Sequence, residues 1–136
     1  MKRWIFVILG LFGLLALAGC GAAGDDDMPA ASAPPAVQTL ERYLQALVEK
    51  DENTLISLTC ADWEMKALLE FDAFSGVETS LEGLSCQQVA NEEGSATVVC
   101  QGKIMASYQD EIKEFELSSR NYQMVQQGGD WLVCGY

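Results

Sequence analysis

The residues with the clearest chemical potential in this sequence are its five cysteines. No two of them form a C-x-x-C pair, and the chain contains no histidine. Structural zinc sites use closely spaced cysteines or histidines, and catalytic dithiols use C-x-x-C. The spacing therefore disfavours dithiol catalysis. Structural disulfide bonds are the favoured role of these cysteines, and zinc ligation is the weaker alternative. The five are Cys20, Cys60, Cys86, Cys100 and Cys134.

The amino terminus has the pattern of an export signal. Lys2 and Arg3 precede an uncharged run that is shorter than the about 20 apolar residues of a membrane-spanning helix. The run ends in LAGC at 17–20, which resembles the lipobox of bacterial lipoproteins. The resemblance implies that a signal peptide, residues 1–19, is removed and that Cys20 becomes the lipidated first residue. An uncleaved signal anchor is the alternative.

Lipidation of Cys20 would leave an even set of four cysteines outside the cytoplasm. Exported domains of about 100 residues often need disulfides to supplement a small core, so two disulfides are the simplest use of this set. The resemblance also implies that the chain is lipid-anchored to the bacterial cell membrane or the outer membrane. Two or more acyl chains give stable attachment where one would be marginal.

Residues 20–35 follow the signal and are small, acidic and proline-bearing, so they are predicted to form a flexible tether. The folded domain is then expected at 36–136. Without Lys2 and Arg3 the mature chain has six basic and twenty acidic side chains, a net charge of −14. Nucleic acid is excluded as a partner on this ground, because phosphate binding needs a basic surface.

Three helices are predicted at the start of the domain. Asp51 is expected to cap the second helix and Asp62 the third, which ends before Gly76. Ala67, Leu68, Phe71 and Phe74 line one side of the third helix. The first helix has an apolar stripe at helical spacing, made of Val37, Leu40, Tyr43, Leu44, Leu47 and Val48.

A β-hairpin is predicted to turn at EEG, residues 92–94, with Gly94 in the left-handed conformation. A three-residue loop places Cys86 opposite Cys100, so these two are expected to bond across the hairpin, with Ala90 on the core face. Cys60 then pairs with Cys134 by elimination. On the chain-entropy model, the Cys60–Cys134 disulfide stabilises the folded domain by roughly 4 kcal/mol because it closes the longer loop. The Cys86–Cys100 disulfide, which closes the hairpin loop, contributes about 3 kcal/mol.

Two later turns complete the predicted sheet. A turn near QDEI pairs Ala106 with Phe115 and Ile104 with Leu117, and a last turn at GGD aligns Met124 with Cys134. The core-facing residues change from odd to even positions between these strands. A bulge is therefore expected in SSRN, residues 118–121, and it would bend the sheet.

The order of one helix, two short helices and four strands resembles the nuclear transport factor two-like, or cystatin-like, α+β roll. The opening YLQALVEKDENTLISLTC and the closing GGDWLVCGY carry this resemblance, which spans about residues 36–136. More narrowly, the chain is similar to bacterial lipoproteins that hold such a domain behind a lipobox and a tether. The resemblance implies helices packed on a bent four-stranded antiparallel sheet, with a conical cavity between them.

That cavity suggests an enzyme hypothesis, because isomerase and dehydratase members of the family use a buried aspartate as base and a donor that holds the oxyanion. Asp62 or Asp72 would be the base here, and Tyr108 or Tyr122 the donor. No family motif carries over onto these positions. No catalytic residue, metal site or cofactor is therefore assigned.

The sequence as a whole predicts an envelope lipoprotein whose roll binds a protein partner or a small apolar ligand without transforming it. Trp131, on the face opposite Cys134, is the candidate for partner contact. The alternatives are an isomerase-like or dehydratase-like enzyme and a scaffolding component of envelope assembly. A cavity lined by isolated acids would favour catalysis, and an apolar cavity without such an acid would favour ligand binding.

Overall fold

Three helices precede the sheet in the computed structural model, which describes residues 32–136. They are α1 (Pro35–Glu49), α2 (Glu52–Ser57) and α3 (Glu64–Ser75). None of these described helices is long and apolar enough to span a membrane. The predicted signal peptide, Cys20 and most of the predicted tether lie outside the described residues, so the predicted lipidation site is not among them.

Helix α1 forms the centre of the core. Pro35 stands at its start, where a missing N–H costs nothing, and Lys50 ends it in the left-handed conformation. Every residue of the predicted apolar stripe is buried, which confirms the helical spacing. The buried stripe comprises Val37, Leu40, Tyr43, Leu44, Leu47 and Val48.

The two shorter helices differ in how they begin. Asp51 caps α2 as predicted, because its carboxylate accepts the backbone N–H of Thr54 at 3.1 Å. The prediction that Asp62 caps α3 is wrong. Asp62 is exposed, and the helix begins after Trp63, whose N–H donates to the Cys60 carbonyl in the preceding turn.

The sheet is antiparallel and consists of five strands, one more than predicted. They are β1 (Glu78–Glu92), β2 (Ser95–Tyr108), β3 (Glu111–Glu116), β4 (Asn121–Gln127) and β5 (Asp130–Gly135). Its order is β1-β2-β4-β5, and β3 pairs with the far half of β2. The predicted third strand is thus two strands on the same side of β2, separated by a loop at 117–120.

The curvature that wraps the sheet around the helices comes from β2. Gly102 divides this strand and has a φ of 99°, and a Cβ there would lie 2.5 Å from the Glu82 carbonyl oxygen. Only glycine tolerates both the left-handed backbone and that close approach. The N–H of Leu117 donates to the Gly102 carbonyl at 3.0 Å, so the bend lies beside the loop at 117–120, next to the residues in which a bulge was predicted.

The first hairpin has the predicted register around its disulfide. Cys86 faces Cys100, but the loop has two residues, Glu93 and Gly94, and not three. A bulge at Val89 compensates for the shorter loop. The bulge also turns Ala90 to the surface, so its assignment to the core face is wrong.

The registers predicted for the other two hairpins are wrong for the same reason. Phe115 pairs with Ile104 and not with Ala106, and Met124 pairs with Val133 and not with Cys134. Both hairpins have two-residue loops, at 109–110 and 128–129, and φ is positive at Gln109, Gly128 and Gly129. Two-residue hairpin turns with positive φ match the right-handed twist of the flanking strands, which makes two-residue loops the commonest hairpin connections.

Both predicted disulfides are confirmed. Cys86–Cys100 crosses the β1–β2 hairpin, and Cys60–Cys134 joins the connection between α2 and α3 to β5. The α2–α3 connection also forms a short parallel bridge with β5, in which the Cys60 N–H donates to the Val133 carbonyl at 3.0 Å. The fold class, helices on a bent antiparallel sheet with two disulfides, is therefore as expected.

Candidate functional site

A cleft of about 570 Å³ lies between α3 and the end of the sheet near β3 and β5. Its volume falls within the range of small-molecule sites. Five of the residues that line it are aromatic, in a chain that has three Trp, four Tyr and five Phe. The lining residues are Trp63, Lys66, Leu69, Glu70, Ala73, Phe74, Tyr108, Phe115, Arg120 and Tyr136.

One face of α3 forms the first wall. Lys66, Leu69, Glu70 and Ala73 recur at intervals of three and four residues, so they lie on the same side of the helix. Phe71 on another side is buried in the core. Helix α3 is therefore apolar on the face that enters the core, whereas the face that lines the cleft carries both charged and apolar side chains. The hydrophobic pattern of the helix for this reason does not mark the cleft face.

The strands supply the opposite wall. The Phe115 ring from β3 meets the Phe74 ring edge-on, with centroids 5.3 Å apart. At the end of β2, the Tyr108 hydroxyl donates to the Ala73 carbonyl at 3.4 Å. These contacts hold α3 against the strands and fix the width of the cleft on this side.

The Cys60–Cys134 disulfide holds the other side. The carbonyl of Cys60 accepts the N–H of Trp63 at 3.0 Å, and Tyr136 follows Cys134 by two residues. The Trp63 and Tyr136 rings meet edge-on with centroids 5.4 Å apart. Gly135 lies against the Trp63 ring, where a Cβ would come within 3.8 Å of it.

An ion pair forms the floor of the cleft. Arg120 Nη1 lies 2.6 Å from Glu70 Oε1, and the side chains are 17% and 10% exposed respectively. The Arg120 guanidinium lies 4.3 Å from the centroid of the Tyr136 ring, a cation–π contact. Arg120 Nη1 also donates to the Tyr122 hydroxyl at 3.4 Å. These contacts from three elements orient the guanidinium within the floor.

The protonation states on this floor follow from burial and from the pair. Burial raises the pKa of Tyr122 to about 12, although Arg120 opposes this. Burial and the Glu70 charge both raise the pKa of Tyr43 and of Tyr136. Burial alone would lower the pKa of Arg120, but Glu70 and Tyr122 together more than offset it and the pKa is raised. At neutral pH the three tyrosines are neutral and the arginine is charged.

Three buried polar atoms on this floor have no hydrogen-bond partner among the described residues: Tyr43 Oη, Trp63 Nε1 and Glu70 Oε2. The Trp63 indole approaches the Tyr43 hydroxyl without a well-aligned hydrogen bond. Buried polar groups are normally paired, so the cluster is costly to the fold. It offers donor and acceptor atoms beneath an aromatic cleft. Within residues 32–136 no three metal-ligating side chains lie close together.

The acids suggested by the enzyme hypothesis are not in the cleft. Asp62 and Asp72 are both exposed and do not line it. Tyr108 lies in the wall, whereas Tyr122 is buried below Tyr136. Glu70 and Arg120 were not predicted from the sequence. A signal for Glu70 was present, since it is a charged residue between the apolar pair Leu68–Leu69 and Phe71.

Trp131, the predicted partner contact, is partly buried and packs against the core on the face it shares with Val133. Its burial reflects the corrected register of the last hairpin, in which Val133 and not Cys134 pairs with Met124. Contact between Trp131 and a partner stays a prediction.

Comparisons with known proteins give similarity to solved structures only. No protein-family model matches the sequence, and no curated protein does. A protein of Novosphingobium aromaticivorans, provisionally named a scytalone dehydratase, is 17% identical over 71% of this chain and 74% of its own, with a TM-score of 0.45. A five-substitution variant of a protein named Rd1NTF2_05 is 16% identical over 71% of this chain and 87% of its own, with a TM-score of 0.41.

Proposed function

We propose that the domain binds a small aromatic or apolar ligand in the cleft between α3 and the sheet. The observation that carries the proposal is the concentration of aromatic rings around one cleft of about 570 Å³. Trp63 contributes a ring, and Tyr108 and Tyr136 each contribute a ring and a hydroxyl. Such amphipathic walls suit ligands that need both apolar contact and a few hydrogen bonds.

Binding is favoured over catalysis by the state of the acid in the cleft. General-base catalysis needs a carboxylate free to take a proton from the substrate. Glu70 is the acid among the described lining residues, and one of its oxygens is held by Arg120 at 2.6 Å. Asp62 and Asp72 are exposed and outside the cleft. An acid that is already paired supports recognition better than proton transfer.

The neutral fluorescent probe N-phenyl-1-naphthylamine tests this proposal. The full chain is used with Cys20→Ser, which removes the lipid acceptor so that no detergent competes for the probe. Fluorescence titration is expected to show saturable binding with one site. Ala73→Trp, which fills the cleft from the exposed side of α3, is expected to abolish the saturable signal.

Ala90→Trp is the matched control, since Ala90 is also exposed but lies on β1 away from the cleft. It should bind the probe like the parent chain. Equal loss in both variants, or no saturable binding by the parent, would contradict the proposed function.

We further propose that Cys20 carries the lipid and that the binding domain acts at an envelope membrane. The support is the LAGC at 17–20 behind a short apolar run, together with two disulfides, which persist in oxidising compartments. Mass spectrometry of native material should find residues 1–19 absent and acyl mass on Cys20. Cys20→Ser should abolish the acyl mass. An intact amino terminus at Met1 would contradict this part of the proposal.

A further inference from the structure

We infer that the ligand is an anion, an aromatic or apolar carboxylate whose charged group is held by Lys66 and Arg120. This inference rests on the proposed function and names the ligand class of the same cleft. It is drawn from the distribution of charge around the cleft, from the open edge of one guanidinium, and from the position of one lysine.

The charge of the cleft is opposite to that of the chain. The whole chain carries a net charge of −12, with twenty acidic and eight basic residues. Two of those basic residues, Lys66 and Arg120, line the cleft, against one acid, Glu70, among the described lining residues. Glu70 is neutralised by Arg120, so the remaining charge in the cleft is that of Lys66. A carboxylate entering here meets a local positive potential on an acidic protein.

Arg120 has donors left after its internal contacts. Nη1 serves both Glu70 Oε1 and the Tyr122 hydroxyl, and Tyr136 covers the guanidinium. Nη2 and Nε make no hydrogen bond to any residue of 32–136, and the side chain keeps 17% of its surface exposed. A planar guanidinium edge matches the two oxygens of a carboxylate. The orientation set by Glu70 and Tyr136 therefore prepares Arg120 for this contact.

Lys66 lies at the exposed rim of the cleft, one turn before Glu70 on the same face of α3. It forms no ion pair with the described part of the chain, whereas Lys103 is paired with Glu114 at 2.8 Å. A third cation lies near the wall, because Lys113 Nζ is 5.4 Å from the centroid of the Tyr108 ring. An anion that bridges Lys66 and Arg120 would place its apolar body against the aromatic walls.

The test compares two ligands of nearly the same shape, 2-naphthoate and the neutral 2-naphthamide, by calorimetry at pH 7 and low salt. The full chain with Cys20→Ser is titrated with each. Naphthoate is expected to bind about tenfold more tightly than naphthamide, since a charge-assisted pair is stronger than a neutral hydrogen bond. This preference should shrink as the salt concentration rises.

Lys66→Gln should weaken naphthoate several-fold more than it weakens naphthamide. Lys103→Gln removes the same charge from the chain at a site outside the cleft, so it should leave both affinities unchanged. Circular dichroism of both variants checks that they remain folded.

The outcomes separate the inference from the proposed function. Equal or weaker binding of naphthoate by the parent chain overturns the anion assignment while the binding function stands. Equal effects of the two lysine variants also overturn it, because the preference would then come from overall charge. If N-phenyl-1-naphthylamine and both naphthalene ligands all fail to bind, the proposed function falls together with the inference.

Discussion

Two regions of the domain each contain one disulfide and one ion pair, but these contacts differ between the regions in burial and in sequence separation. The cleft end, where α3, the loop at 117–120 and β5 meet parts of β2 and β3, holds the Cys60–Cys134 disulfide and the Glu70–Arg120 ion pair. The hairpin end, formed by β1, β2 and β3, holds the Cys86–Cys100 disulfide and the Lys103–Glu114 ion pair. Each region therefore offers one covalent and one ionic contact that can be removed and compared.

The contacts differ in sequence separation and in burial. The disulfide of the cleft end joins residues 74 apart in the chain, and that of the hairpin end joins residues 14 apart. The Glu70–Arg120 pair is largely buried, whereas Glu114 is 49% exposed. The hairpin end is also held by a long antiparallel ladder between β1 and β2. The candidate site therefore depends on non-local contacts, whereas the hairpin is also fixed by its own strand ladder.

The largest effect is expected from removing the disulfide at the cleft end. In a Cys60→Ser/Cys134→Ser variant the free energy of unfolding should fall by roughly 4 kcal/mol, because the bridge closes the longer loop of the unfolded chain. Trp63 and Tyr136 would lose their common anchor. Urea unfolding should show the lower stability, and saturable binding of N-phenyl-1-naphthylamine should be lost at 10 °C, where the folded fraction is greatest.

A second measurement keeps this prediction open to contradiction if the variant is too unstable to study. Mild reduction of the parent chain, followed by alkylation and mass mapping, identifies chains that have lost Cys60–Cys134 alone. Unchanged probe binding by such chains would show that the disulfide does not maintain the cleft.

A smaller loss of stability is expected at the hairpin end. Cys86→Ser/Cys100→Ser should lower the free energy of unfolding by about 3 kcal/mol, since the closed loop is shorter. The β1–β2 ladder still fixes the hairpin, so the folded protein should bind the probe with unchanged affinity. A loss of binding equal to that of the other disulfide variant would remove the distinction between the two regions.

The same distinction explains what the sequence could predict. The α1 stripe and the Cys86–Cys100 pairing depend on short-range periodicity and on one nearby turn, and both were predicted correctly. The Cys60–Cys134 disulfide was predicted only by elimination, because these were the two cysteines that remained. The registers predicted for β3 and β5 were wrong because the predicted hairpin loops were at least one residue longer than the real ones. An error of one residue in the loop changes the partner of every residue in the strand.

The floor of the cleft was not predictable by the same means. Glu70 and Arg120 are 50 residues apart, and their pairing depends on how α3 lies across the bent sheet. The bend is set by Gly102, whose need for a positive φ is visible only once β1 lies against β2. Asp62 and Asp72 were considered because the family resemblance implies a buried aspartate as base, whereas the acid among the described lining residues is Glu70, two residues before Asp72 on α3.

The Glu70–Arg120 ion pair at the cleft end should contribute more to the free energy of unfolding than its location near a loop suggests. Arg120→Met leaves Glu70 mostly buried without its partner, and breaking a buried pair in this way costs several kcal/mol. Because both side chains keep some exposure, we expect a loss of about 2 kcal/mol in urea unfolding. Glu70→Gln in the same chain should restore most of it, since no uncompensated charge then remains. A double variant no more stable than Arg120→Met would argue against the pair as the cause.

The smallest effect is expected from the ion pair at the hairpin end. Lys103 and Glu114 are 2.8 Å apart, but both side chains reach solvent, where water and salt screen the attraction. Lys103→Met should therefore change the free energy of unfolding by less than about 0.5 kcal/mol. A double-mutant cycle with Glu114→Gln isolates the coupling between the two side chains from effects of each residue alone. A coupling as large as that between Glu70 and Arg120 would mean that burial does not set the strength of these pairs, and the contrast between the two regions would then rest on chain separation alone.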